Sequence, residues 1–284
     1  MAKKIIQYII ATVLALAILA LIILNILSST LLDKNYILSK LQEQNYYDKI
    51  YEDVNSNFEN YIYQSGLDES VLDGIITKEK IKTDTKKIID NIYSGMDEKI
   101  DTEEIKNKLN NNINESLNHN ITETQKKAID TFIETICKEY ETTISHTSYE
   151  EKLNNGINII NKYIGICKKI VLVVIGVSVI LLVLLTIKRI YKITASFGIS
   201  FVIDGLILLL ANNYINSNIK IDTIMLLNTG ISDVLKSISN EILENILKTG
   251  SILLALGIIL TIIYGIIKSV RKAKREKEQY TPEI

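Results

Sequence analysis

Helix breakers and metal-seeking side chains are scarce in this chain, which has one proline, two histidines and two cysteines in 284 residues. The lone proline, Pro282, lies at the C-terminal end, so long helices can run without its interruption. His119 and His146 are far apart, and no HExxH or CxxC spacing occurs. A metal centre needs several convergent ligands, and none is expected here. If the chain turns near His146, Cys137 stands opposite a residue near 156 and not opposite Cys167. The offset of about 11 residues is roughly 16 Å along a helix, beyond disulfide reach. Two free thiols are expected. Glycine-rich phosphate loops, kinase signatures and a nucleophile elbow are also missing. No catalytic residue and no cofactor is therefore expected.

Long apolar runs are what the chain has. Ile5–Leu27 follows Lys3 and Lys4 and carries no charge. Ile170–Ile187 is bounded by Lys168-Lys169 and Lys188-Arg189. Ile193–Ala211 is interrupted only by Asp204, and Thr249–Ile267 lies between Lys248 and Lys268. A helix needs about 20 mostly apolar residues to cross a hydrocarbon core of about 30 Å. Such a segment must satisfy its own backbone, so all four read as transmembrane helices. The first run is longer than the apolar core of an ordinary signal peptide and reads as an uncleaved anchor.

Charge orients these spans. Lys3 and Lys4 precede the first, Lys188, Arg189 and Lys192 join the second to the third, and Lys268, Arg271, Lys272, Lys274, Arg275 and Lys277 follow the fourth. With four spans these clusters fall on one side, which the positive-inside rule makes the cytosol. Lys168, Lys169 and Lys248 fall on the other side and can snorkel. The expected order is a cytosolic end and first span over 1–27 and a helical extracytoplasmic domain over 28–168. A transmembrane hairpin over 169–211 follows, then an outer helical loop over 212–248, a fourth span over 249–267 and a basic cytosolic tail over 268–284. The fold class is all-α, a polytopic membrane protein. An excess of Ile, Asn and Lys resembles translation of an AT-rich genome and suggests a bacterial plasma membrane.

Segment 28–168 is helical in pattern throughout. Leu41, Tyr47, Ile50, Tyr51, Val54, Phe58, Tyr61 and Ile62 share one face of a helix that stops at Ser65-Gly66. A turn and a short helix follow. Thr77 caps a helix with Ile81, Ile88, Ile89 and Ile92 inward, ending at Ser94-Gly95. Thr102 opens another, with Glu103 and Glu104 in the first turn and Ile105, Leu109, Ile113 and Leu117 as its stripe. Thr122 precedes a helix with Ala128, Ile129, Phe132, Ile133 and Ile136 inward. A last helix from about Tyr149 can run into the second span, with Asn154-Asn155-Gly156 as the place for a kink. The thin stripes point to elongated, coiled-coil-like packing. In the second outer segment Asp222 caps a short helix, and Asn228-Thr229-Gly230 reads as a turn. Ser232 then caps a helix with Leu235, Ile238, Ile242 and Ile246 inward, broadened by Val234, Leu243 and Leu247.

The candidate site is intramembrane. Ser196, Ser200 and Asp204 recur every four residues on one helical face, and no span offers a cation at that depth. Asn25, Ser178 and Thr186 could add polar atoms. A charge there faces protein, a water path or a partner. Its readings are a polar helix–helix contact, a shallower position, or proton, ion or small-ligand handling. Gly257, Thr261 and Gly265 recur every four positions on the fourth span, a spacing that permits close helix approach; Ser251 and Ala255 form a second such pair. The glycosylation-like triplets at Asn114 and Asn120 are expected by chance in so Asn-rich a chain.

The expected partners are the lipid bilayer and, through the outer domain, a second copy or an envelope protein. The basic tail suits topology and anionic lipid, not nucleic acid. The expected function is a non-enzymatic membrane protein for interaction, sensing or assembly. The alternatives are a transporter, channel or accessory subunit using Asp204, or a membrane enzyme without a recognisable site.

Overall fold

The computed structural model describes residues 2–96, 98–117, 122–145, 147–219, 221 and 229–279. His119, His146, Asn120, Asp222 and Asn228 lie outside the described residues. Among those described, every regular element is helical: α1 (Ala2–Ser29), α2 (Lys34–Glu43), α3 (Tyr46–Ser65), α4 (Lys78–Ser94), α5 (Glu103–Ser116), α6 (Glu123–Ser145), α7 (Thr147–Thr186), α8 (Tyr191–Asn218) and α9 (Thr229–Gln279). Four stretches are long and apolar enough to cross a membrane: Lys3–Ser29, Asn155–Thr186, Tyr191–Asn218 and Gly230–Glu276. The chain is a membrane protein on that evidence. It divides into two compact units.

One unit comprises Leu31–Lys162 and Ile224–Ser237. Its helices are punctuated by short polar residues. Asp33 accepts from the amides of Asn35 and Tyr36 and so starts α2. Thr77 Oγ1 accepts from Lys80 N and starts α4. Thr122 and Gln125 cap α6 reciprocally: Gln125 Oε1 accepts from Thr122 N, and Thr122 Oγ1 accepts from Gln125 N. Gly66 and Gly95 end α3 and α4 at φ 73°, a left-handed conformation that costs glycine little.

Three local expectations need correction. The single helix read across Leu41–Ile62 is two helices, because Asn45 adopts φ 52° and breaks it. Asparagine tolerates this region better than most residues, and the break lets Tyr46 as well as Tyr47 turn inward. Thr102 makes no side-chain cap; Asp101 Oδ1 accepts from Glu103 N in its place. The inner face of α6 is also displaced along the helix. Ala128 is exposed, whereas Ile133, Ile136, Cys137, Tyr140 and Ile144 are buried.

Ile50, Val54, Phe58 and Ile62 from α3 join Ile81 from α4, Ile105, Leu109 and Ile113 from α5, and Ile133 and Ile136 from α6 in the core. Each such side chain contributes roughly 1.5–3 kcal/mol when fully buried. The stripes are thin, but they converge. Most polar groups inside are paired, although Thr85 Oγ1 on α4 is buried without a hydrogen-bond partner among the described residues. Tyr140 Oη donates to Asp84 Oδ2 at 2.6 Å, and Lys80 Nζ reaches the same oxygen at 3.1 Å. Asn57 and Tyr61 of α3 donate to the Glu139 carboxylate of α6. Asn112 Nδ2 donates to the carbonyls of Val71 and Asp73, tying α5 to the short 3₁₀ turn Glu69–Leu72.

The first residues of α9 belong to this unit too. Lys49 pairs with Asp233, and Gln44 Nε2 donates to Ser237 Oγ. Here α9 begins at Thr229, so Ser232 lies within the helix and does not cap it. Its inward residues are Val234 and Ile238, and Leu235 is exposed.

The other unit comprises Met1–Thr30, Tyr163–Thr223 and Ile238–Ile284. Here α1, α8 and the later parts of α7 and α9 are apolar on most sides. Helix α7 runs through Asn154-Asn155-Gly156 without a break. A helix-interior glycine costs only about 1 kcal/mol against alanine, too little to interrupt so long a helix.

Burial in the first unit has a pH consequence. It raises the hydroxyls of Tyr46 and Tyr140 above the ordinary tyrosine range, aided at Tyr140 by the Asp84 carboxylate, and pushes Tyr93 up to about 12. The folded state therefore holds these protons more tightly than the unfolded chain does. Their stabilisation is complete below about pH 10, the unfolded value, and is lost as pH rises through the folded values. In an alkaline titration of the detergent-solubilised protein, phenolate absorbance should rise in two stages. The second stage should coincide with loss of helical circular dichroism. A single stage with unchanged helicity would contradict this burial.

Candidate functional site

On α8 the four-residue spacing of Ser196, Ser200 and Asp204 becomes one buried face. Two helices cover it. Gln7 Nε2 of α1 donates to Ser196 Oγ at 3.1 Å. Ser200 Oγ lies 2.9 Å from the carbonyl of Ala11 and 3.0 Å from that of Ser196, so its one proton serves either acceptor. The pairs Gln7/Ser196 and Ala11/Ser200 advance together, so α1 and α8 are parallel. One further turn along the same register sets Ala15 level with Asp204. Ala11, Leu14 and Ala15 are buried on α1, and the small side chains at 11 and 15 allow the helices to approach.

The other neighbour is α9, which runs antiparallel. A Cβ on Gly198 would stand 2.7 Å from Thr261 Oγ1 and 3.1 Å from the Gly257 carbonyl. A Cβ on Gly205 would stand 2.6 Å from Leu254 N and 2.8 Å from the Gly250 carbonyl. From the opposite side, a Cβ on Gly257 would meet Val202 N at 2.6 Å and the Gly198 carbonyl at 2.8 Å. These distances leave no room for a methyl group, so backbone rests on backbone. The rings of Tyr191 and Tyr264 stack at one end with centroids 5.8 Å apart. At the other end Asn212 Nδ2 donates to the Leu243 carbonyl at 2.7 Å. Tyr191, Gly198, Gly205 and Asn212 are seven residues apart, as are Leu243, Gly250, Gly257 and Tyr264. The helices thus meet in one heptad register over four successive pairs.

Asp204 lies in this layer, beside Gly205, with no exposed surface. Neither carboxylate oxygen has a hydrogen-bond partner among the described residues. An unpaired buried carboxylate costs several kcal/mol, so the pairing of α8 with α1 and α9 must outweigh it, or a proton must neutralise it. Of the other polar candidates, Asn25 is exposed, while Ser178 and Thr186 are buried on α7. Thr186 Oγ1 bonds back to the Leu182 carbonyl.

The helix-packing candidates divide. Gly257 and Thr261 meet α8, but a Cβ on Gly265 would meet nothing within 4 Å, and Ser251 and Ala255 are exposed. Gly198 and Gly250 were not anticipated, and Gly205 likewise serves close packing. The signal that reveals them is the seven-residue spacing, not the four-residue one. Cys137 is a buried free thiol raised by desolvation, and Cys167 is free and exposed. Asn114 is exposed at the end of α5. Among the described residues no cluster of three or more His, Cys, Asp or Glu side chains could hold a metal ion. No protein-family model, curated protein or solved structure matches this chain.

Replacing Gly205 or Gly257 by Ala should lower the thermal midpoint of the detergent-solubilised protein, reflecting an overpacking cost of roughly 1–3 kcal/mol. Gly265→Ala meets nothing and should leave it unchanged or raise it slightly, because alanine favours the helix. Equal midpoints for all three variants would contradict the seam.

Proposed function

We propose that this chain is a non-enzymatic protein of the plasma membrane of a bacterium, with both termini cytosolic and a helical domain outside. That domain makes contacts with a second copy or an envelope protein, in sensing or assembly. The observation that carries the reading is the pairing of a self-contained helical unit with a bundle of apolar helices. Within the helical unit, apolar stripes from α3, α4, α5 and α6 are satisfied internally. What it offers outward is a polar surface with isolated apolar points such as Tyr63, which is 90% exposed. An exposed aromatic ring is the kind of side chain enriched where proteins meet.

Charge supports the orientation. Lys3 and Lys4 at the start of α1, Arg189 just before α8, Lys192 in its first turn, and Lys268 and Arg271 on α9 all gather at one end of the membrane bundle. Arg271 stacks over Tyr191 at 4.5 Å and Lys268 lies over Tyr264 at 5.8 Å. Aromatic rings and cations together are typical of an interface between hydrocarbon and water.

The orientation is tested by single cysteines in a Cys167→Ser background, where Cys137 is buried. A membrane-impermeant maleimide should label Tyr63→Cys on intact cells and Lys274→Cys only after permeabilisation. The reverse pattern would overturn the topology. A photo-crosslinker at position 63 should then capture a second copy or an envelope protein, and adducts to lipid alone would argue against the interaction role.

A second reading rests on the two unpartnered oxygens of Asp204. In this reading the carboxyl exchanges a proton or holds an ion during transport. Proteoliposomes carrying a pH-sensitive dye should then show a flux that Asp204→Asn abolishes while the protein still assembles. Wild-type assembly and flux in Asp204→Leu would sink it.

A further inference from the structure

The cationic end of the membrane bundle contains a cavity that the preceding readings leave without a role. Its volume is about 260 Å³, and it is lined by Lys3, Lys4, Gln7, Leu185, Arg189 and Lys192, with Thr186 at its wall. Against about 30 Å³ per water in the liquid, that is room for a phosphate group with a short polar substituent. The lining comes from the start of α1, the end of α7, the short 3₁₀ turn Ile187–Arg189 and the start of α8. All of it belongs to the membrane unit.

Among the described residues that line the cavity four are cations and none is an acid. Among the described residues none of these four forms an ion pair. Gathering like charges around one space is unfavourable unless water, salt or an anion compensates them. Elsewhere in this chain lysines readily find carboxylates, as at Lys34–Asp90, Lys78–Asp48 and Lys108–Glu104. The absence of acids around this cavity is therefore a feature of the place.

The start of α8 adds a second, independent attraction. Residue Ile190 leaves that 28-residue helix without a side-chain cap, and its first turn holds no acid. The Ile193 amide is taken by the Ile190 carbonyl at 2.9 Å, and the helix dipole still favours an anion near Arg189 and Lys192. The Gln7 amide, which donates to Ser196, can turn its second N–H toward the cavity.

We propose that this cavity binds a phosphate-bearing anion, supplied either by the headgroup of an acidic phospholipid or by a soluble phosphorylated compound. Arg189 supplies the planar fork that matches phosphate oxygens, and the lysines supply point charge. A basic pocket between transmembrane helices at the level of the headgroups is the setting in which acidic lipids are held.

Native mass spectrometry of the full-length protein in neutral detergent tests this, with phosphatidylglycerol, phosphatidylcholine and inorganic pyrophosphate as probes. Each cation near an anionic surface contributes roughly fivefold to binding. The double variant Arg189→Gln/Lys192→Gln should therefore retain phosphatidylglycerol roughly 20-fold less well than wild type. Each single variant should lose part of that. Lys274→Gln/Arg275→Gln removes as much charge from the exposed end of α9 and should bind as wild type does. Circular dichroism identifies variants that fold, and the single variants keep the test informative if the double variant does not.

Phosphatidylglycerol that pyrophosphate fails to displace would establish the lipid as the source. Pyrophosphate bound directly, with loss of affinity in the same variants, would establish a soluble one. Equal retention of phosphatidylglycerol by wild type and both cavity variants would overturn the proposal. So would equal loss in the Lys274/Arg275 variant, or equal retention of phosphatidylcholine.

Discussion

The membrane unit depends on one steric fact: at Gly198, Gly205 and Gly257 there is no Cβ. Two helices of ordinary residues pack at 8–10 Å between axes. Here backbone atoms of α9 occupy space that side chains of α8 would need, and the reverse. Between apolar helices in lipid there is no hydrophobic gain from association, because lipid tails are as apolar as the helices. Close van der Waals contact has to supply the attraction, and small residues are what bring enough atoms near. Once α9 lies so close to one side of α8, the Ser196–Ser200–Asp204 face is left to α1. The arrangement around Asp204 follows from the glycines.

The helical unit of Leu31–Lys162 and Ile224–Ser237 uses different physics. Its stripes carry about one apolar residue per turn, and several come from short helices. Stability there rests on convergence of isoleucines from several elements and on polar groups that meet partners. The Tyr140–Asp84–Lys80 cluster is the clearest case, with a phenol and an ammonium serving one carboxylate. Removing any member would leave the others with unmet polar groups, which costs more than the bond itself contributes.

Much of this fold was legible beforehand because its signals are strong and local. Four apolar runs, one of them interrupted by Asp204, read as membrane-crossing helices, and their structural counterparts are longer but in the same places. Gly66 and Gly95 end their helices as glycines do. What was hidden was non-local or delicately balanced. A left-handed Asn45 is permitted by its chemistry but required only by the packing of Tyr46 and Tyr47. The inward face of α6 depends on where α3 and α4 lie, so periodicity alone set it too near the N-terminus. Asp204 and its serines could be placed on one face from spacing. That α1 covers the serines through Gln7 and Ala11, while no donor among the described residues reaches the carboxylate, depends on three helices whose order in space no single segment encodes.

The heptad seam between α8 and α9 also bears on alignment along the membrane normal. Glycines at a spacing of seven are matched to one another in more than one way. A slide of seven residues, about 10 Å, would bring Gly205 against Gly257 and keep one close contact. The glycines bring the helices together without saying at what height. The ends remove that ambiguity. The stack of Tyr191 on Tyr264, gripped by Arg271 and Lys268, and the bond from Asn212 to the Leu243 carbonyl are each available in one alignment only. The interior of the pair works as a smooth rail, and its two termini work as stops.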